Sequence, residues 1–135
     1  MGLILNSGFA IGPGVTLNSG ISVPLPTGLT SSDPSTSAYA IKQAYPSSPD
    51  GLYWIQNASI NGGAPFQIYA DMTTDGGGWT LIMQNMNPDW SYETSLLRNS
   101  TSPPSTLGSI NYSIIGWADY IKRNTWSYCE SAIKY

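Results

Sequence analysis

Histidine is absent from this 135-residue chain, and cysteine occurs once, at Cys129. Without imidazole the usual general base near neutral pH is missing. A single thiol makes neither an internal disulfide nor a thiolate zinc site, so a small buried thiol is the plain expectation for Cys129. Charge is scarce as well: 10% of residues are Asp, Glu, Lys or Arg, against about 25% in a typical soluble domain. The cations Lys42, Arg98, Lys122, Arg123 and Lys134 are scattered. Binding nucleic acid through its phosphates needs such residues clustered, so no nucleic-acid partner is expected. No apolar run is long enough to cross a bilayer, and the first residues lack the basic start of a secretory leader. The chain is therefore read as folding in a reducing cytoplasm, with no membrane partner.

What is there is Ser, Thr, Asn, Gly and a repeat. Residues 3–26 divide into the sixes LILNSG, FAIGPG, VTLNSG and ISVPLP. The first and third positions are Leu3 and Leu5, Phe9 and Ile11, Val15 and Leu17, Ile21 and Val23. Such alternation marks a strand with one buried face, and the intervening Asn, Gly and Pro mark tight turns. Residues 1–26 thus read as a hexapeptide-like β arm. Strands this short do not bury an apolar face alone. The arm packs either on other subunits, as an assembly or anchoring element, or on its own domain. The low charge weakens repulsion between copies, and a homo-oligomer is expected.

Residues 27–37 read as a Pro/Ser/Thr linker, with a boundary near Ser37. Residues 38–135 read as a small mixed domain, so the whole is mainly β, or α+β. It opens with a short helix ending at Pro46, with Tyr39, Ile41 and Ala44 available for burial. A turn at 48–51, the strand LYWI, a hairpin turn at 61–63 and the strand PFQIYADM follow. After the glycine run 76–78, Trp79, Leu81 and Met83 alternate and are expected to point inward. Helices are expected at 91–98 and 116–123, the second with Ile115, Ala118, Tyr120 and Ile121 available for burial.

GLYWI (51–55) and PFQIYADMTTDGGGWTLIMQN (65–85), with the spacing between them, resemble the start of the fibrinogen C-terminal-like domain. That pattern runs G-x-Y-x-I, a strand ending Y-C-D-M, then T-D-G-G-G-W-T. The resemblance covers 38 to about 90 and singles out Gly51, Tyr53, Asp71, Met72, Asp75, Gly76, Gly77, Gly78 and Trp79 as structural positions. The family's cysteine before Asp-Met is Ala70 here, and its upstream partner is missing too. The family's calcium site and ligand pocket lie later in its domain. Residues 87–135 hold no Asp-rich oxygen cluster of the kind calcium needs. No metal, cofactor or ligand residue is therefore carried over. A glycine-rich repeat before such a cysteine-free segment, with NYSIIGWADYIK (111–122) after it, is similar to structural proteins of tailed bacteriophages.

The candidate chemistry is thin. Asp71 and Asp75 are the close carboxylate pair, and acid–base work would need a cleft and a partner donor. The simpler expectation is that Asp71 accepts backbone N–H bonds at a strand end and Asp75 starts the glycine turn. No catalytic residue is assigned, and no enzyme is expected. Trp90 and Tyr92 lie in a polar stretch and are candidate exposed aromatics, suited to a host glycan or a subunit contact. Asn57, Asn99 and Asn111 open N-x-S/T triplets, read as chance matches. The expectation is a structural virion protein of a tailed phage, made in the host cytoplasm. It would be held among other virion subunits by its arm, as head decoration or as part of a fibre or tail. The alternative is a lectin-like adhesin for host surface glycans.

Overall fold

The computed structural model describes residues 24–86 and 96–122. The arm residues Leu3 to Val23, the aromatics Trp90 and Tyr92, and Cys129 lie outside the described residues. The fold is mixed and mainly β. Among the described residues the elements are short: antiparallel sheets of three and two strands and two small helices.

Ser37 starts helix α1 (Ala38–Ala44): its hydroxyl accepts the Ala40 amide at 3.0 Å, the bond expected of an N-cap serine. The helix stops before Pro46, which disfavours a helical residue ahead of it. Ala38 and Ile41 are fully buried, while Tyr39 is turned outward. Strands β1 (Gly51–Ile55) and β2 (Phe66–Asp71) pair antiparallel, with Tyr53 opposite Ile68 and Ile55 opposite Phe66. Those four, with Ala70, form the buried face. The connection between the strands is longer than a two-residue hairpin. It buries Ile60 and then makes a 310 turn at Asn61–Gly63. Strand β3 (Trp79–Thr80) adds to β2.

Residues 27–36, linker-like in composition, lie along the far edge of β1. The Trp54 amide donates to the Gly28 carbonyl, the Ser35 amide to Trp54, and the Gln56 amide to Ser35. Ser35 pairs with Ile55 in a parallel bridge and is buried. Thr27 closes this loop by donating from both its amide and its hydroxyl to Asp33 Oδ2, at 2.9 and 2.7 Å. The packing therefore does not change at Ser37. Ser, Thr and Asp side chains close turns as readily as they solvate linkers, and composition alone does not separate the two uses.

After β3 the chain crosses to the second sheet, β4 (Met83–Gln84) with β5 (Tyr112–Ser113). Leu96–Arg98, the end of the helix expected at 91–98, is not helical: Arg98 forms an antiparallel bridge with Ser113. The helix expected at 116–123 is shorter, a 310 turn at Ile115–Trp117 running into α2 (Ala118–Ile121). Ile115 and Tyr120 are exposed there, because the burial is carried by Trp117 and Ile121 packing on the core.

Tyr112 and Ile114 complete the core with Met72. The Tyr112 hydroxyl is fully buried and has no hydrogen-bond partner among the described residues. Burial pushes its pKa far up. An orphaned buried hydroxyl costs about 1–3 kcal/mol. Tyr112→Phe is therefore expected to unfold at a higher urea midpoint, with a gain of about 1 kcal/mol. A clear loss of stability would reveal a partner for the hydroxyl.

Candidate functional site

The conspicuous local structure is the turn from β2 to β3. Asp71 ends β2 with its carboxylate facing the chain that follows. Its Oδ1 accepts the amides of Thr73 and Thr74 at 3.0 and 2.8 Å. Asp50, which the sequence placed only in a turn, supplies the second clamp. Its Oδ1 accepts the Met72 amide at 2.7 Å, and its Oδ2 accepts the Thr73 hydroxyl at 3.1 Å. The chain then makes a 310 turn at Thr74–Gly76, with Asp75 at φ 47 on its exposed apex. The Gly78 amide returns to the Asp71 carbonyl at 2.9 Å. Asx turns of this kind satisfy backbone donors that no strand partner reaches.

Both clamping carboxylates bond backbone and hydroxyl donors of the β2–β3 turn. The expected role of Asp71 at a strand end is what the geometry shows. Asp75 lies within the glycine turn. The signal for Asp50 was the Pro-Asp-Gly run, which announces a turn but not a contact 22 residues away. Burial by itself raises the Asp71 carboxyl. The hydrogen bonds from Thr74 and Thr73 outweigh that and leave it below its ordinary value of 3.8. The Thr27 hydroxyl, then the Thr27 amide, lower Asp33 likewise. Groups depressed in the folded state add stability above the unfolded carboxyl pKa of about 4, and lose it as pH falls through their lower native values. The urea midpoint is therefore expected to drop between about pH 5 and 2. Asp71→Asn is expected to make that drop shallower, leaving the share that belongs to Asp33. An unchanged slope would deny Asp71 the role.

The other signature positions lie in the strands and turn around these clamps. Gly51 opens β1, Tyr53 is buried with its hydroxyl donating to the Pro49 carbonyl at 2.7 Å, and Met72 is fully buried. Trp79 corrects the sequence reading: it is 39% exposed. The turn sets the register so that Thr80, not Trp79, lies opposite buried Ala70. Trp79 falls opposite Asp71 on the outer face, and its Nε1 donates to the Thr74 carbonyl at 2.8 Å. Leu81 is half-buried and Met83 is exposed, because regular pairing with β2 ends at Thr80.

The asparagines of the three N-x-S/T triplets are fasteners. Asn57 accepts the Ser59 amide and donates to the Tyr120 carbonyl. Asn99 donates to the Asn111 carbonyl, and Asn111 accepts the Met86 amide. A shallow depression of about 190 Å³ lies where the described chain begins, lined by Leu25, Pro26, Ser35, Thr36 and Ala40.

Residues 41–97 match the family model for the C-terminal globular domain of fibrinogen beta and gamma chains. That span holds most of α1, both clamps and β1 to β4. This segment is thus fibrinogen-like, as its motifs suggested. No solved structure matches the chain.

Proposed function

We propose that this protein is a structural subunit of a tailed-phage virion, attached to the head or tail through its N-terminal arm. The reading rests first on the β2–β3 turn, the most distinctive local structure of the domain. Its carboxylates serve the fold: Asp50 and Asp71 are both engaged by the backbone and hydroxyl donors of that turn. A site built for catalysis or metal holding keeps such groups aimed at a ligand. Large apolar side chains face outward instead, with Leu25, at the end of the arm, and Leu29, just after it, at 61% and 66% exposure. A surface of that kind suits contact with other subunits. The arm's sequence supplies the second support, since its alternating pattern, read as short strands, calls for a partner to bury them.

The test is quantitative mass spectrometry of purified particles of the phage that encodes the chain, counted against the major shell protein. A copy number scaling with the shell is the result for head decoration. A small number matching tail symmetry is the result for a fibre, neck or tail part. Absence from particles, together with glycan binding by the free chain, would overturn the reading in favour of a lectin-like adhesin.

A further inference from the structure

The β1–β2–β3 sheet has two faces, and one of them is in the core. Pairing puts Leu52 opposite Tyr69, Trp54 opposite Gln67, and Asp71 opposite Trp79 on the other face. Leu52, Trp54 and Tyr69 are half-buried and stand outside the core cluster, and Trp79 is exposed. The fold thus gathers three aromatic rings and a leucine from three strands onto one small surface. Neither the Trp54 indole N–H, the Gln67 amide nor the Tyr69 hydroxyl has a hydrogen-bond partner among the described residues. All are neutral. Gln67 both donates and accepts, so on a two-fold axis it pairs with its own copy.

We infer that this outer face is a homotypic contact, stacking on the same face of a second copy. A two-fold axis lying across the strands at the Trp54–Gln67 pair brings each of these two onto its own copy, as an isologous interface requires. The same axis sends the face's carboxylate, Asp71 at the end of β2, to opposite ends of the contact, so the two charges stay apart. No lysine or arginine occupies these strand positions, which disfavours an acidic partner. Tyr and Trp are the side chains that carry most energy at such contacts. The face is small beside the roughly 800 Å² per partner of a stable free-standing dimer. Each contact is therefore weak and acts by multiplicity within an assembly. The inference does not depend on the virion reading and involves a surface separate from the arm.

The experiment uses the full chain with Cys129→Ser, so that a new thiol stands alone. Gln67→Cys places that thiol at the proposed axis, and Gln43→Cys places it on exposed α1 as a control. Under mild oxidation, Gln67→Cys is expected to form disulfide dimers at least about tenfold faster than the control, the gain that local concentration gives. In the native background Tyr69→Lys is expected to lower the sedimentation-detected association. Equal cross-linking rates for the two thiols would overturn the inference. So would tryptophan quenching at Trp54 and Trp79 by a neutral oligosaccharide with no dependence on protein concentration, which would give the face to a sugar.

Discussion

Gly77→Ala is expected to abolish folding of the small domain. A Cβ at position 77 would lie 2.1 Å from the Met72 carbonyl oxygen and 2.3 Å from its carbon. Both are backbone atoms, so no rotamer relieves the overlap. Met72 is fully buried, and its amide is held by Asp50. Moving it aside breaks the clamp and drags a core side chain with it. Position 77 also sits at φ 74, where an L residue is strained. The combined loss exceeds about 4 kcal/mol, a large part of the 5–15 that holds a domain together. Its neighbour is the control. Gly76 has φ 90 but open space around its Cβ position. Gly76→Ala carries the strain alone, about 1–2 kcal/mol, and is expected to fold with a lowered melting temperature. Soluble yield and thermal unfolding of the two variants measure the difference. A well-folded Gly77→Ala protein would contradict the described turn.

Phe66→Ala is expected to cost about 3–5 kcal/mol, the range for emptying a fully buried aromatic site. Phe66 is 1% exposed and pairs with Ile55 at the end of β2. Its ring also meets that of Trp117, with centroids 5.0 Å apart and planes at 60°, a favourable tilted arrangement. That contact joins the sheet to the turn before α2, across 51 residues of chain. The substitution should therefore loosen the 115–121 segment as well as weaken the core. Urea unfolding gives the total. A double-mutant cycle of Phe66→Leu with Trp117→Leu is expected to give a coupling of about 0.5–1.5 kcal/mol. No coupling would mean that the two rings contribute independently.

Much of the first half of this domain was legible because its signals are local. Ser37 with Pro46 bounds α1, and the alternation of Phe66, Ile68 and Ala70 is a strand with one buried face. The acidic-glycine run after β2 announces its turn. Trp79 was misread for a related reason. Alternation gives a period but not a phase, and one residue of register moves every side chain to the other face. The phase was set by how the glycine turn closes, which requires knowing that Gly77 packs onto Met72. The second sheet was harder. β4 and β5 have two residues each, too few for any period, and β5 pairs with chain about 30 positions earlier. The Asp50 clamp and the Phe66–Trp117 contact are long-range as well. No short pattern carries such information.

The fastening of this second sheet has a consequence for where the protein can work. Its ties include uncharged long-range ones: Gln84 to the Ile110 carbonyl and the Gly108 amide, Asn111 to Met86, and Asn99 to Asn111. The ion pair described for the chain, Lys122 with Asp119, is exposed and joins near neighbours. Ion pairs weaken as salt rises, whereas amide–carbonyl bonds carry no net charge to screen. Carboxamides do not titrate either. These ties should therefore hold equally well in fresh water and in brine, and from mildly acidic to alkaline conditions. A sheet fastened by such ties meets a change of medium without losing them.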